Sequence, residues 1–448
     1  MEQFDLIVIG AGPGGYTAAL EAAALGKRVA LCEKDEVGGT CLNRGCIPTK
    51  ALLRAAHVYK AAAEGAAVGV RAEGLRCEFT SLFQYVEETT ARLREGIGQL
   101  LARGGVTLLR GTAKLEAGRV VRVDGQRYAA EHVLLAAGSR PASPPIPGSD
   151  LPGVVTSDDL LAGRGADCGS LVILGGGVIG AEFAEIYTAL GRRVTVLEMA
   201  PRLLPTLDRE IGQNLAMILK KRGAEIVTGA SVKEIAPAEG GLCCRYEVKG
   251  EERFSKGERV LICTGRAPCT AGLLGEGVDL GLERGYVPVD ECFQTRAAGV
   301  WAVGDLVLGG VQLAHVAEAQ AKNAVRAMFG AGGAKELSAL PACVFTDPEI
   351  ACVGLTADGA KAAGRAVTVK KSLTSANGRA VLEGAERGFA KLVFDAQDGR
   401  LLGAQLMCPH AGEMIGGLTA AVNAGLTAEQ LRGTVWPHPT VSEILGAF

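Results

Sequence analysis

The chain opens on a run of mostly apolar residues, Phe4-Asp5-Leu6-Ile7-Val8-Ile9, that stops at Gly10. A short apolar run closed by turn residues predicts a buried strand. An alanine-rich stretch with helical composition follows to Gly26, and a second apolar run then ends on the acid Glu33. The same order returns from Leu171: strand, glycine turn, helix, Gly191, the strand Val194-Thr195-Val196-Leu197, and Glu198. First glycine and acid are 23 residues apart in both copies, 10 to 33 and 175 to 198. This spacing predicts an internal duplication of a whole strand–helix–strand unit.

Each copy is followed at a distance by a similar strand end, Ala137-Gly138-Ser139-Arg140-Pro141 and Thr264-Gly265-Arg266-Ala267-Pro268. The proline-rich residues 141–147 read as a linker between the copies. A third strand and turn, Gly299 to Asp305, leads into a helical stretch from about residue 315 to 329, and residues 330–334 form a glycine–alanine hinge. After Pro341, strands such as 389–394 and a helix over 411–424 predict a separate α+β unit.

Composition narrows the function classes. The 448 residues suit about three domains. A net charge of −2 leaves no electrostatic footprint for nucleic acid. No apolar run is long enough for a transmembrane helix, and no basic-then-apolar leader precedes the first strand. Thirteen cysteines, mostly single and set in apolar stretches, suit reduced thiols and point to the cytoplasm. The 63 glycines are about twice the usual ~7% and belong to turns and close backbone approaches.

The glycine turns are the first candidate sites. Gly10 and Gly175 would make the tight turn, and Gly12 and Gly177 would let a pyrophosphate approach the backbone. Gly15 and Gly180 would let helix press on strand, while Glu33 and Glu198 would accept from ribose hydroxyls. A lone glycine triplet is common, but here each follows a strand, opens a helix and has its acid in place. Two such sites imply two dinucleotides, most economically FAD and a nicotinamide. Glu198 would repel a 2′-phosphate, which favours NAD, while Arg192 and Arg193 keep NADP open.

The second candidate is Gly38-Gly39-Thr40-Cys41-Leu42-Asn43-Arg44-Gly45-Cys46-Ile47-Pro48-Thr49-Lys50. Alone, this cysteine spacing is half a metal site or two unrelated thiols, and no nearby ligands complete a metal set. Five residues of ideal helix rise ~7.5 Å, more than the ~4.4–6.8 Å between bridged Cα atoms. A disulfide there would need a loop or a distorted turn, which Gly45 and Pro48 permit.

This stretch resembles the redox-disulfide signature of the pyridine nucleotide–disulfide oxidoreductases. Both glycine fingerprints, Val303-Gly304-Asp305 and His438-Pro439-Thr440-Val441-Ser442-Glu443 match that family as well. Within it, the chain is most similar to the dihydrolipoamide dehydrogenases, on Leu42, Ile47, Gly180 with Glu198, residues 313–318, 377–380 and 412–415. It lacks the extra carboxyl-terminal cysteines of mercuric and large thioredoxin reductases, and Trp436 stands where many lipoamide enzymes carry a second histidine.

The resemblance implies an α/β fold of two Rossmann-like dinucleotide-binding domains and a carboxyl-terminal α+β dimerisation domain. The expected segments are 1–146 for FAD, 147–268 for NAD, 269–336 for a central domain completing the FAD site, and 337–448 for the interface. It implies a homodimer with a shared active site, in which Cys41 and Cys46 form the redox disulfide. His438, oriented and charged by Glu443, would be the base facing Cys41 of the other subunit. Glu443 also fits a capping box with Thr440, an alternative with no chemistry in it. Lys50 and Glu182 would lie beside the flavin, Asp305 would hold its ribityl chain, and His315 would lend backbone N–H groups; Gly138 and Gly265 would line the two sites. His57, His132 and His410 read as structural or surface residues. The implied activity is oxidation of dihydrolipoamide, carried by the lipoyl domain of an acyltransferase or H-protein, with NAD⁺ as acceptor. An NADH- or NADPH-dependent reductase of another disulfide, or a docking subunit of a multienzyme complex, are the alternatives. No metal is expected.

Overall fold

Leu6, Ile7 and Val8 are each fully buried, which explains why this strand reads as a continuous apolar run: both faces of its sheet are covered. The computed structural model describes residues 1–385 and 387–448. In its first sheet the strands run 107–110, 29–33, 2–9, 126–135, 120–123, 113–116, with Val300–Ala302 also pairing on 126–135. The strand Glu2–Ile9 is parallel to both neighbours, with Leu6 opposite Val29 and His132. The helix Pro13–Ala24 makes the crossover.

The second copy builds a second parallel sheet in the order 225–228, 193–198, 170–174, 259–262, 154–156. Its crossover helix is Val178–Ala189. A three-stranded antiparallel sheet, 231–238, 241–248 and 251–257, is inserted before the last-formed strand. The two similar strand ends are paired with one another. Ser139–Pro141 runs antiparallel to Arg266–Pro268, with Arg140 opposite Ala267, so the stretch read as a linker begins as half of a ribbon joining the two copies.

After residue 341 the chain forms a five-stranded antiparallel sheet, ordered 342–344, 350–354, 401–407, 389–395, 367–373, with the helix Ala411–Asn423 packed on it. Ion pairs clamp this unit to the second copy. Lys391 Nζ reaches Asp208 at 2.9 Å and Glu210 at 2.6 Å. Arg222 bridges Glu185 at 2.9 Å and Asp347 at 3.1 Å. Lys391 and Asp208 are both buried, and removing one partner of such a pair typically costs ~3–5 kcal/mol, because the other charge stays buried and alone. No helix among the described residues is long and apolar enough to cross a membrane.

Candidate active site

The helix Gly39–Arg44 stops at Gly45, whose φ of −147° and ψ of −113° are not helical, and a new helix runs over Cys46–Glu64. It starts two residues before Pro48, earlier than Pro48 itself suggests. This break is the distorted turn that the cysteine spacing requires. A Cβ on Gly45 would lie 2.8 Å from the Thr40 carbonyl oxygen, so only glycine lets the two helices close up. Both cysteines are thiols here, joined by a side-chain hydrogen bond.

That bond splits their acidities. The Cys41 thiol is driven far up, by its bond to Cys46, by burial and by the neighbouring sulfur's charge. The Cys46 thiol is lowered to about 7, first by the bond from Cys41 and then, against burial, by Lys50 and a backbone donor. At neutral pH the pair is therefore a protonated Cys41 beside a Cys46 that is about half thiolate, the state in which sulfur is nucleophilic.

Lys50, one helical turn beyond Cys46, places Nζ 3.0 and 3.1 Å from the carboxylate oxygens of Glu182. Glu182 is 4% exposed and also accepts from the Phe345 backbone N–H at 3.0 Å, while Lys50 stands 4.4 Å over the Phe345 ring. Lys50, Glu182, Cys46 and Cys41 thus form one cluster, although they come from two different sheet units.

Gly10 and Gly175 have φ of +103° and +111°, conformations that suit glycine. A Cβ on Gly15 or Gly180 would run into the carbonyl oxygen of Gly10 or Gly175, so both are fixed by helix-on-turn packing. For Gly180 that packing is a reason for glycine independent of which nicotinamide binds. The middle glycines differ: a Cβ on Gly12 would meet only Gly39 Cα, at 3.9 Å, and one on Gly177 would meet nothing within 4 Å. Both helices also start without a side-chain cap. Open space facing uncapped N–H groups is what a pyrophosphate needs, so both turns fit a dinucleotide.

The acids behave otherwise than their spacing suggests. Glu33 accepts from the backbone N–H of Ala11 at 2.7 Å and of Asp35 at 2.9 Å, and Glu198 accepts from Gly176 and, at 2.6 Å, from Ala200. Each carboxylate braces its own glycine turn, and a ribose hydroxyl would take a remaining lone pair. Arg192 is turned to Asp167 at 3.0 Å and to the Phe79 ring. Arg193 begins the strand that Glu198 ends, roughly 16 Å away at ~3.3 Å per residue.

The comparisons with known proteins agree with this geometry. The family model for pyridine nucleotide-disulphide oxidoreductases matches residues 4–321, and the model for their dimerisation domain matches 340–447. This chain belongs to that family. It is 37% identical to dihydrolipoyl dehydrogenase of Geobacillus stearothermophilus over 98% of this chain and 94% of the relative. With the same enzyme of Chlorobaculum parvum the identity is 38% over 98% and 95%. Among solved structures, the HOCl-induced flavoprotein disulfide reductase RclA from Escherichia coli superposes with a TM-score of 0.86, at 32% identity over 98% of both chains. The protein is thus a disulfide oxidoreductase, and FAD and NAD, the expected cofactors, are those the family uses.

Other features of this oxidoreductase were only partly visible in its sequence. Asp305 lies in a short 3₁₀ turn and accepts from Ser139 Oγ at 2.5 Å, and Arg266 Nε donates to that same Oγ at 2.7 Å. Ser139 and Arg266 belong to the two strand ends noted for their likeness alone, beside Gly138 and Gly265. His315 is the second residue of the helix Ala314–Met328; its ring turns away to the Pro341 carbonyl at 2.8 Å, leaving an uncapped helix start.

In the dimerisation domain, His438 Nδ1 is 2.9 Å from Glu443 Oε1, and Glu443 Oε2 accepts from the Thr440 backbone N–H at 2.9 Å. One carboxylate therefore both pairs with the histidine and accepts from the backbone at the start of the turn. These two bonds, with the backbone bond the larger cause, hold its pKa below the usual range. The Thr440 hydroxyl goes instead to Pro437, and the final helix is only a 3₁₀ turn, Val441–Leu445. His438 is 80% exposed and makes no bond to either thiol within the chain, among the described residues. Trp436 donates to the Leu431 carbonyl at 3.2 Å and packs against Gly446, so its place is in the packing of the carboxyl terminus. His57 is half-buried, which lowers its pKa; His132 accepts from Trp301, and His410 pairs with Glu383.

Proposed function

We propose that this oxidoreductase is a homodimeric, cytoplasmic enzyme that oxidises protein-bound dihydrolipoamide to lipoamide through a Cys41–Cys46 disulfide, with NAD⁺ as acceptor. FAD would lie at the first glycine turn, against Gly138, Asp305 and the start of the 314–328 helix. NAD would lie at the second, beside Gly265. The observation that carries the reading is the thiol pair with divided acidity set against Lys50 and its buried partner Glu182. The partner would be a lipoyl domain of an acyltransferase or H-protein.

The residues would act in sequence. With Nδ1 held by Glu443, Nε2 of His438 of the partner subunit takes a proton from the substrate dithiol. The resulting thiolate attacks Cys41 Sγ, the Cys41–Cys46 bond breaks, and Cys46 leaves as the thiolate its environment favours. The second substrate thiol then passes its own proton to Cys41 as its sulfur displaces Cys41 and closes the cyclic disulfide, and the partner's His438 releases the first proton to solvent. The electron pair now resides on the two cysteines. Bound FAD supplies the relay of that pair to NAD⁺ as a hydride. Lys50 keeps positive charge at this position and Glu182 holds Lys50 in place.

The exposed His438, which bonds neither thiol of its own chain among the described residues, supports a shared site in which it serves the cysteine pair of a second chain. Initial rates with dihydrolipoamide and NAD⁺, beside NADP⁺ and beside glutathione disulfide with NADH, test the proposal. Fast NAD⁺-dependent oxidation of dihydrolipoamide is expected. Activity confined to another disulfide would sink the lipoamide assignment and favour a reductase.

A further inference from the structure

Three helix starts meet beside Cys41. A Cβ on Gly14 would stand 3.3 Å from Ala317 Cβ, bringing Pro13–Ala24 against Ala314–Met328, and one on Gly39 would stand 2.6 Å from Gly12 Cα, bringing in the helix of Cys41. At this junction the Tyr16 hydroxyl donates to Glu318 Oε1 at 3.3 Å, across 302 residues of sequence. Burial, then the Glu318 carboxylate, then the charge of Cys41 push the Tyr16 phenol up to about 12, so it remains a neutral donor. Tyr16 is the only hydrogen-bond partner of Glu318 among the described residues, and Lys322, one turn further along that helix, makes no ion pair with it among the same residues. The Tyr16 hydroxyl, within electrostatic reach of Cys41, thus carries a carboxylate that forms no ion pair among the described residues, and the thiol exchange described above does not use it.

We propose that the Tyr16–Glu318 pair makes the approach to Cys41 selective against anionic thiols and disulfides, admitting amide-linked, neutral dithiols and turning away those that carry a free carboxylate. The inference rests on Cys41 being the sulfur that exchanges with substrate. Like-charge repulsion is a direct route to discrimination, because it penalises the wrong ligand without needing new contacts to the right one. A lipoyl group attached to protein is an uncharged amide, whereas free dihydrolipoate differs from it mainly by one negative charge. A repulsion of ~1 kcal/mol between two such like charges is worth about fivefold in rate.

The test uses the reduced holoenzyme and two small alkylating agents of similar size, neutral iodoacetamide and anionic iodoacetate, with the slow modification of Cys41 read by peptide mass; the small ionised fraction of Cys41 is common to both agents and cancels in their ratio. Glu318→Gln is expected to raise the iodoacetate-to-iodoacetamide rate ratio at Cys41 about fivefold, Glu318→Lys more, and Glu318→Asp to keep the wild-type ratio. In the wild-type protein the same ratio rises with ionic strength, a measurement that needs no variant. An equal ratio in wild type and Glu318→Gln overturns the proposal, as does a salt-independent ratio. The preference in kcat/KM for dihydrolipoamide over dihydrolipoate should narrow in Glu318→Gln by a similar factor. A shifted alkylation ratio in an enzyme that turns over neither dithiol would keep the selectivity and defeat the lipoamide assignment. An unshifted ratio with normal dihydrolipoamide turnover would do the reverse.

Discussion

Lys50 and Glu182 act on Cys46 with opposite sign, and that opposition can be measured. Lys50 lies four residues beyond Cys46 on one helix, a spacing that puts Cβ atoms ~5–6 Å apart. At ~6 Å and an effective dielectric of 20 a unit charge contributes ~3 kcal/mol. Lys50 is one-third exposed and shares its charge with Glu182 at 3.0 Å, so about half of that should reach Cys46, or about one pH unit. Lys50→Met should therefore move the Cys46 midpoint up from about 7 by about one unit, and Glu182→Gln, which removes a charge that raises it, should move it down by about half a unit. The assay is the rate of Cys46 alkylation against pH in the reduced enzyme. In the wild type this rate should level off above pH 7 and fall about tenfold per unit below it, as the thiolate takes up a proton. Lys50→Met also leaves Glu182 buried with one backbone donor, so a lower melting temperature should accompany the shift. An unmoved midpoint in Lys50→Met, or a move in the same direction in both variants, would refute this electrostatic account.

Mixing inactive Cys46→Ser subunits with inactive His438→Gln subunits should restore dithiol oxidation, since heterodimers contain one intact shared site; no recovery on mixing would place the base within its own chain. Glu443→Gln should lower kcat/KM for dihydrolipoamide by less than His438→Gln, whose loss should reach 10²–10⁴, and steady-state rates will rank the two. Glu198→Gln should raise the NADP⁺-to-NAD⁺ ratio of kcat/KM about tenfold, ~1.4 kcal/mol of relieved repulsion, and an unchanged ratio would remove Glu198 from cofactor choice. Gly180→Ala should cost ~1–3 kcal/mol of stability through overpacking, whereas Gly177→Ala, open on that side, should weaken nucleotide binding with little change in melting temperature.

The duplicated strand–helix–strand units, the kink at Gly45 and the Cys41–Cys46 spacing were legible because each rests on local order: a period, a turn residue or a fixed spacing; Lys50 and His438 came into view only through the family resemblance. What the sequence hid depends on contacts between distant segments, which leave no period behind. Ser139 and Arg266 converge on Asp305 across the ribbon, Lys391 meets Asp208 across two units, and Tyr16 meets Glu318 across most of the chain. The acids Glu33 and Glu198 were placed correctly, but their bonds to the glycine turns could not be read from spacing, because a carboxylate at a strand end reaches inward as easily as outward. The divided acidity of the cysteines was equally invisible, since it arises first from which thiol donates to the other, and only then from Lys50 and the helix backbone, rather than from residue type.

The strand Val300–Ala302 closes the first sheet only after the whole second copy has been threaded through. On a ribosome the first unit must therefore wait roughly 165 residues for its missing edge, on the order of ten to thirty seconds at ~5–20 residues per second. Meanwhile the second copy, whose own parallel strands are complete by Ile262, is free to fold as an insertion. The half of the molecule made first is finished second, and nascent chains stalled between residues 270 and 299 should hold a folded second copy behind an open first one.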